Sequence, residues 1–252
     1  MITDPVFYLA AIPAVILVGL AKGGLSGIGM LAMPLLAMAV DPVQAAAIML
    51  PILIIQDAVA VWSYRRSWDR RNLAILIPSA TVGIVVGYLL AARVSATVVE
   101  VIIGVISIVF GLRRLVVERG PTPATTERGG TAAGWFWGIV SGFTSMIAHA
   151  GGPPFQVYVM PQRLPRDVFI GTGVVFFTAV NWIKVPAYAA LGQFGSEAML
   201  TAAVLMPLAV LSTRAGVYLV RRIDGKSFYT VIYALLVALG VKLLWDGARV
   251  LL

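Results

Sequence analysis

Gly19-Leu-Ala-Lys-Gly-Gly-Leu-Ser-Gly-Ile-Gly29 and Gly142-Phe-Thr-Ser-Met-Ile-Ala-His-Ala-Gly-Gly152 lie over one another without a gap. Each ends an apolar run on glycine and opens another. The correspondence continues downstream: Pro78 matches Pro207, Gly87 matches Gly216, Arg93-Val94 matches Arg222-Ile223, and Gly111–Leu115 lies over Gly240–Leu244. Matches in one common order mark an internal repeat, so the chain reads as one supersecondary pattern written twice.

The composition says what solvent the pattern is written for. Of 252 residues, 60% are hydrophobic and 12% charged, whereas a soluble domain carries about 25% charged residues. Backbone groups in lipid must be satisfied within the segment, so apolar runs of bilayer length predict helices rather than barrel strands. They fall near 6–21, 28–40, 43–61, 72–92 and 98–112, then 132–148, 152–161, 167–190, 198–220 and 228–245. The expected organisation is a first transmembrane repeat over 1–112, a polar linker over 113–130 and a second repeat over 131–252. The first two segments of each half read as too short to span comfortably, which leaves re-entrant pairs and full crossings both open, with eight to ten crossings in all. Met1–Pro5 carries Asp4 and no basic run, so the first apolar segment is expected to be retained.

Orientation follows from Lys and Arg. If Tyr64–Asn72 is cytoplasmic, so are the linker, Arg163–Arg166 and Arg221–Lys226, which places 13 of the 19 basic residues inside. Basic Tyr64–Asn72 then corresponds to uncharged Leu191–Ser196, and the equivalent loops face opposite sides. The expected fold is therefore an all-α polytopic protein of an inner membrane, with two inverted-topology repeats. Each repeat holds a Gly/Pro-broken helix pair and three further transmembrane helices. The net charge of +8 reads as this topology signal rather than as a nucleic-acid surface. No cysteine and a single histidine exclude disulfides and thiolate-bound metal, and no metal or cofactor is expected.

Paired interruptions in inverted halves point to a transporter binding site. Each leaves free N–H groups at a new helix start, where an anion is favoured. Ser26, Gly27 and Gly29 in the first break, and His149, Gly151, Gly152 and Pro153 in the second, are the candidate substrate contacts. Charges within apolar spans are costly and mark function: Lys22 and Lys184, with Asn181 beside the latter, join the binding set. Asp57, Gln56 and His149 are the coupling-ion candidates, for a proton or sodium. Thr172, Thr178 and Gln156 are further polar residues on apolar segments. Gly24-Leu-Ser-Gly27 is also the GxSG string of rhomboid-type serine proteases, with His149 as the base of an intramembrane enzyme. Only one helix precedes Ser26, which argues against that order. The repeats alone also admit an anion channel or a non-transporting membrane scaffold, and a homodimer is left open.

These motifs resemble the sulfite exporter TauE/SafE family of bacterial membrane transporters over nearly the whole chain. Gly24–Pro34 (GLSGIGMLAMP) and Pro42–Ala46 carry the first-half likeness; Gly151–Met160 (GGPPFQVYVM) and Asn181–Tyr188 (NWIKVPAY) carry the more specific second-half one. The chain has Gly27-Ile-Gly29 where the family has three glycines, and Ile48-Met49-Leu50 where it has Gly-Thr-Ser. The resemblance implies secondary transport, outward or inward, of sulfite, a sulfonate such as sulfoacetate, or a related small anion. The expected topology is testable in a chain without native cysteines. Cysteines introduced at Ser67 and Thr125 should be shielded from an impermeant thiol reagent outside whole cells, and one at Gln193 should react. Labelling of Ser67 and Gln193 from the same side would contradict the inverted arrangement.

Overall fold

The computed structural model describes residues 2, 4–25, 28–37, 39–40, 42–90, 93–117, 129–190, 195–223 and 225–251. Among these residues ten α-helices follow in order: α1 (Pro5–Lys22), α2 (Ala32–Ala37), α3 (Pro42–Tyr64), α4 (Arg70–Leu90), α5 (Ala96–Val117), α6 (Thr131–Ala148), α7 (Gly152–Val159), α8 (Arg166–Ala190), α9 (Ser196–Arg222) and α10 (Gly225–Leu251). Short 3-10 turns at Ile28–Leu31 and Met160–Gln162 flank α2 and α7. Among the described residues there is no strand, and six helices are long and apolar enough to cross a membrane. The protein is an all-α polytopic membrane protein.

Local chemistry sets the ends. Asp4 caps α1, its side chain accepting the Val6 N–H at 2.9 Å, with Pro5 opening the helix where no N–H is needed. Asp69 does the same at the start of α4, accepting from Asn72 N at 2.7 Å. Two boundaries differ from the expected ones. Helix α5 runs on to Val117, into the stretch expected as linker, because Leu115–Val117 continues the apolar pattern past Arg113 and Arg114. The first arm of each broken pair is full length: α1 and α6 have 18 residues each, about 27 Å of helix. Only the returning arms, α2 and α7, are short.

Those pairs are hairpins. Gly129, just before α6, accepts from Tyr158 Oη near the end of α7 at 3.3 Å and from Arg71 at 3.0 Å. Gln162, just after α7, exchanges amide hydrogen bonds with Asn72 at 3.0 and 3.1 Å. Both ends of the α6–α7 pair therefore meet at the start of α4. Ser67 beside Gly171, Arg166 on the carbonyl of Ile223 (2.7 Å) and Arg221 on that of Ser63 (3.5 Å) lie at the same end of the bundle. The basic segments thus gather there. The α1–α2 pair closes at the opposite end, where Ile2, Tyr8, Ala39 and Val40 pack with Ala198 and Ala202 of α9.

Helix packing is tightest along parallel α1 and α9, parallel α4 and α6, and antiparallel α5 and α10. Small residues let these backbones meet, as membrane interfaces require. A β-carbon on Gly23 would sit 2.5 Å from Cα of Gly216, and one on Gly87 would sit 3.0 Å from Cβ of Met146. In the repeat alignment, Gly23 and Gly216 are the counterparts of Met146 and Gly87. The α5–α10 seam repeats the pattern: Gly104 approaches the carbonyl of Gly240, and Gly111 that of Tyr233. Gly23→Ala should therefore lower the unfolding temperature in detergent, by an overpacking cost of about 1–3 kcal/mol. Gly195→Ser, at a helix start with open space around it, should be neutral. Equal melting of the two variants would show that the α1–α9 approach does not matter.

Candidate functional site

Where α1 ends, Gly24 at φ 131° turns the chain through a conformation that side chains avoid. Tyr64 of α3 anchors the turn by donating to the Gly23 carbonyl at 2.7 Å. Lys22, in the last turn of α1, is thereby held facing α3 and forms an ion pair with Asp57 Oδ1. The second carboxylate oxygen of Asp57 accepts from Asn181 Nδ2 of α8 at 2.7 Å. One turn further along α8, Lys184 is 1% exposed and donates to Ser145 of α6, at 3.2 Å to Oγ and 3.4 Å to the carbonyl oxygen. Lys22 and Ser145 occupy matching places in the two aligned stretches. Each half thus joins its first helix to its third by one polar contact.

The second break is built by α6. Its Ser141 Oγ donates to the Gly151 carbonyl at 2.7 Å and its Thr144 Oγ1 to that of Ala150 at 3.1 Å. The chain turns at His149, which closes α6 in the left-handed region at φ 52°. Helix ends ordinarily give that position to glycine, so a strained histidine points to a use for its imidazole there.

A cavity of ≈ 190 Å³ lies between these elements, room for on the order of ten water-sized groups. Lys22, Lys184, Asn181, Ser145, His149 and Gln156 supply its polar wall; Gly29, Gly151 and Gly152 its breaks; Phe155, Phe169, Phe177 and Val174 its apolar wall. Asn181 is about 15 Å along α8 from the Gly171–Ser67 contact at the basic end, half of a hydrocarbon core of about 30 Å. Among the described residues the ion pairs leave Lys184 with neutral partners only, so two ammonium groups and one carboxylate converge at mid-depth.

Most of the expected site residues come together here, with exceptions. Ser26 and Gly27 lie outside the described residues. Pro153 is buried at the start of α7 and does not line the cavity. Gly151 does line it, but its missing β-carbon faces α6, 2.8 Å from the Ser141 carbonyl. Its smallness therefore serves helix packing, whatever its backbone offers an anion. Gln56 turns from the cavity to the Val15 carbonyl of α1, at 3.0 Å, and its Oε1 has no hydrogen-bond partner among the described groups. Thr172 and Thr178 bond back to their own helix, Thr172 also accepting from Asp69 N. Ser145 and Phe177 do not stand out in the sequence. Ser145 carries one signal, its alignment with Lys22; Phe177 carries none among so many apolar residues.

A helical bundle of this size with a charged cavity halfway through it has the architecture of a membrane transporter. A model of the family Sulfite exporter TauE/SafE matches residues 11–243, and the chain belongs to that family. A probable sulfite/organosulfonate exporter TauE of Cupriavidus necator is 24% identical over 171 residues, which is 67% of this chain and 64% of the relative. The chain therefore aligns with slightly less than two thirds of that relative's length. No solved structure matches. Membership in a transporter family sets aside the serine-protease reading of Ser26 and His149.

The ion pair makes a direct prediction. Asp57→Leu leaves Lys22 without its counter-charge and should destabilise the protein by about 3–5 kcal/mol, whereas adding Lys22→Met to it should recover most of that loss. Unfolding in detergent measures the cycle, and strictly additive losses would mean that the two side chains do not interact.

Proposed function

We propose that the protein is a secondary transporter that moves sulfite or a small organosulfonate across a bacterial inner membrane by alternating access. The observation that carries this reading is the mid-depth cavity, whose wall holds Lys22 and Lys184, with Asp57, itself outside the lining, paired to Lys22. An anion entering it meets one unbalanced ammonium, hydrogen-bond donors from Asn181 and Ser145, and the backbone N–H of Gly152 at the start of α7, where Pro153 and Pro154 carry none. The aromatic wall suits the carbon portion of a sulfonate. The name of the relative, a sulfite/organosulfonate exporter, supports the choice of cargo.

Alternating access is supported by the paired contacts. Helix α1 runs along α9 as α6 runs along α4, while α3 meets α8 and α5 meets α10 across the centre. Two hairpins closing at opposite ends supply the parts for a site that opens to either side as one half rocks against the other. By the positive-inside rule the basic end, with the 113–130 linker, is cytoplasmic. Asp57 is the candidate carrier of a coupling ion, because it is the carboxylate paired with Lys22 of the cavity wall.

The test is anion binding and flux in the purified protein. Sulfite and small sulfonates should raise its unfolding temperature. Lys184→Met should weaken their binding by about tenfold or more, a loss of about 1.4 kcal/mol. Lys242→Met should not, since Lys242 pairs with Asp246 one turn along α10. In proteoliposomes, labelled sulfite should show saturable counterflow. Flux that never saturates would favour a channel, and unaltered affinity in Lys184→Met would remove the cavity from the function.

A further inference from the structure

Charge at the cavity does not balance, and the imbalance constrains the cargo. Lys22 is neutralised by Asp57 while Lys184 rests on the neutral oxygens of Ser145. A singly charged anion offsets Lys184 and brings the site to neutrality. A doubly charged anion would leave one net negative charge buried halfway through the bilayer, where uncompensated charge is most costly.

We propose that Asp57 matches the site to the valence of its cargo by taking up a proton when the cargo carries two negative charges and staying ionised when it carries one. This rests on the cavity being the anion site. The proton is given up by an acid in bulk solution, whose conjugate base stays there, and binds Asp57 at Oδ1, the oxygen that Lys22 leaves. Lys22 keeps its own protons and turns to the anion. Asn181 still donates to Oδ2, so the neutral acid keeps one fixed partner. When the cargo departs, the proton leaves and the ion pair with Lys22 re-forms. No other bond is made or broken.

The surroundings of Asp57 fit this role. Four helices pack against α3: α1, α2, α8 and α9. From α1 comes Lys22; from α8 come Asn181 and, one turn on, Lys184; the segment Ala32–Ala37 of α2 has no titratable side chain. On α9 the buried groups at this level are neutral Ser212 and Thr213, and Arg214 is exposed. Across the cavity His149 is the remaining titratable group, and on α3 itself Tyr64 lies two turns away at Gly23. Asp57 is thus the acid beside the two lysines, 1% exposed and in direct contact with one of them. In either case the cargo plus any proton carries one net negative charge, so outward movement is downhill in an interior-negative membrane.

Calorimetry on the purified full-length chain, in buffers of different ionisation enthalpy, counts protons taken up on binding. Methanesulfonate, with one charge, is compared with sulfoacetate, with two. Sulfoacetate should take up about one proton more than methanesulfonate, and its affinity should fall with rising pH by up to about tenfold per pH unit relative to methanesulfonate. In Asp57→Asn that difference should vanish. Equal proton numbers for the two ligands in the unmodified protein would overturn the proposal without needing any variant. An extra proton that persists in a folded Asp57→Asn protein would overturn it too. If neither ligand binds, the anion-site reading fails, and this proposal with it.

Discussion

A cation halfway across a bilayer must be answered by something, and the arrangement of α1, α3, α6 and α8 is built around that demand. Lys22 meets Asp57, Asn181 holds the far side of the same carboxylate, and Lys184 rests on Ser145. A network of this kind adds little net stability, since desolvating the charges offsets much of their attraction. Its presence beside two chain breaks accords with the proposed binding role, in which one ammonium is left to be satisfied by a ligand. The close packing around it offsets the cost of keeping it there.

That packing explains why the breaks hold their shape. Unwound backbone is tolerated at membrane depth only where protein or a cavity satisfies it. Around the second break, Ser141 and Thr144 take up the carbonyls of Gly151 and Ala150, while the Ala150 N–H returns to the Thr144 carbonyl at 3.1 Å. Around the first, Tyr64 holds Gly23, and Gly216 leaves room for the turn to lie against α9. Glycine is thus divided between two tasks. Gly24 turns the chain, while Gly23, Gly83, Gly142 and Gly216 let helices touch. Close packing at glycine recurs in both halves, whereas the turn is made by Gly24 in the first and by His149 in the second, and the side chains that differ between them, Lys22 against Ser145, give the cavity its asymmetry of charge.

Much of this is legible in the residues. Ten apolar segments, two breaks and a one-sided distribution of arginine are carried by composition and period, which lipid enforces strictly. Intramembrane Lys22, Asp57, Asn181 and Lys184 stand out because each is costly in an apolar span. Their pairing is not legible, because it depends on the angle at which α3 and α8 cross, and no local pattern encodes that. Nor does the glycine at 151 declare whether it serves a ligand or the neighbouring helix; only the direction of its absent β-carbon decides that. The end of α5 is hidden because two arginines look like a boundary, although their long apolar stems extend a helix easily. The length of α1 and α6 against the short return of α2 and α7 is equally hidden, since glycine-rich runs look alike whether the chain goes on or turns back.

The proposed transport depends on a single anion being held between Lys22 and Lys184 at mid-depth. The most direct measurement is a structure of the protein soaked with selenite or a selenonate analogue, located by the anomalous signal of selenium. One selenium peak is expected inside the cavity, with its oxyanion within hydrogen-bond distance of Lys184 Nζ and Lys22 turned toward it. Selenium bound only at the basic loops, or a cavity that remains empty at saturating anion with the Lys22–Asp57 pair intact, would contradict it.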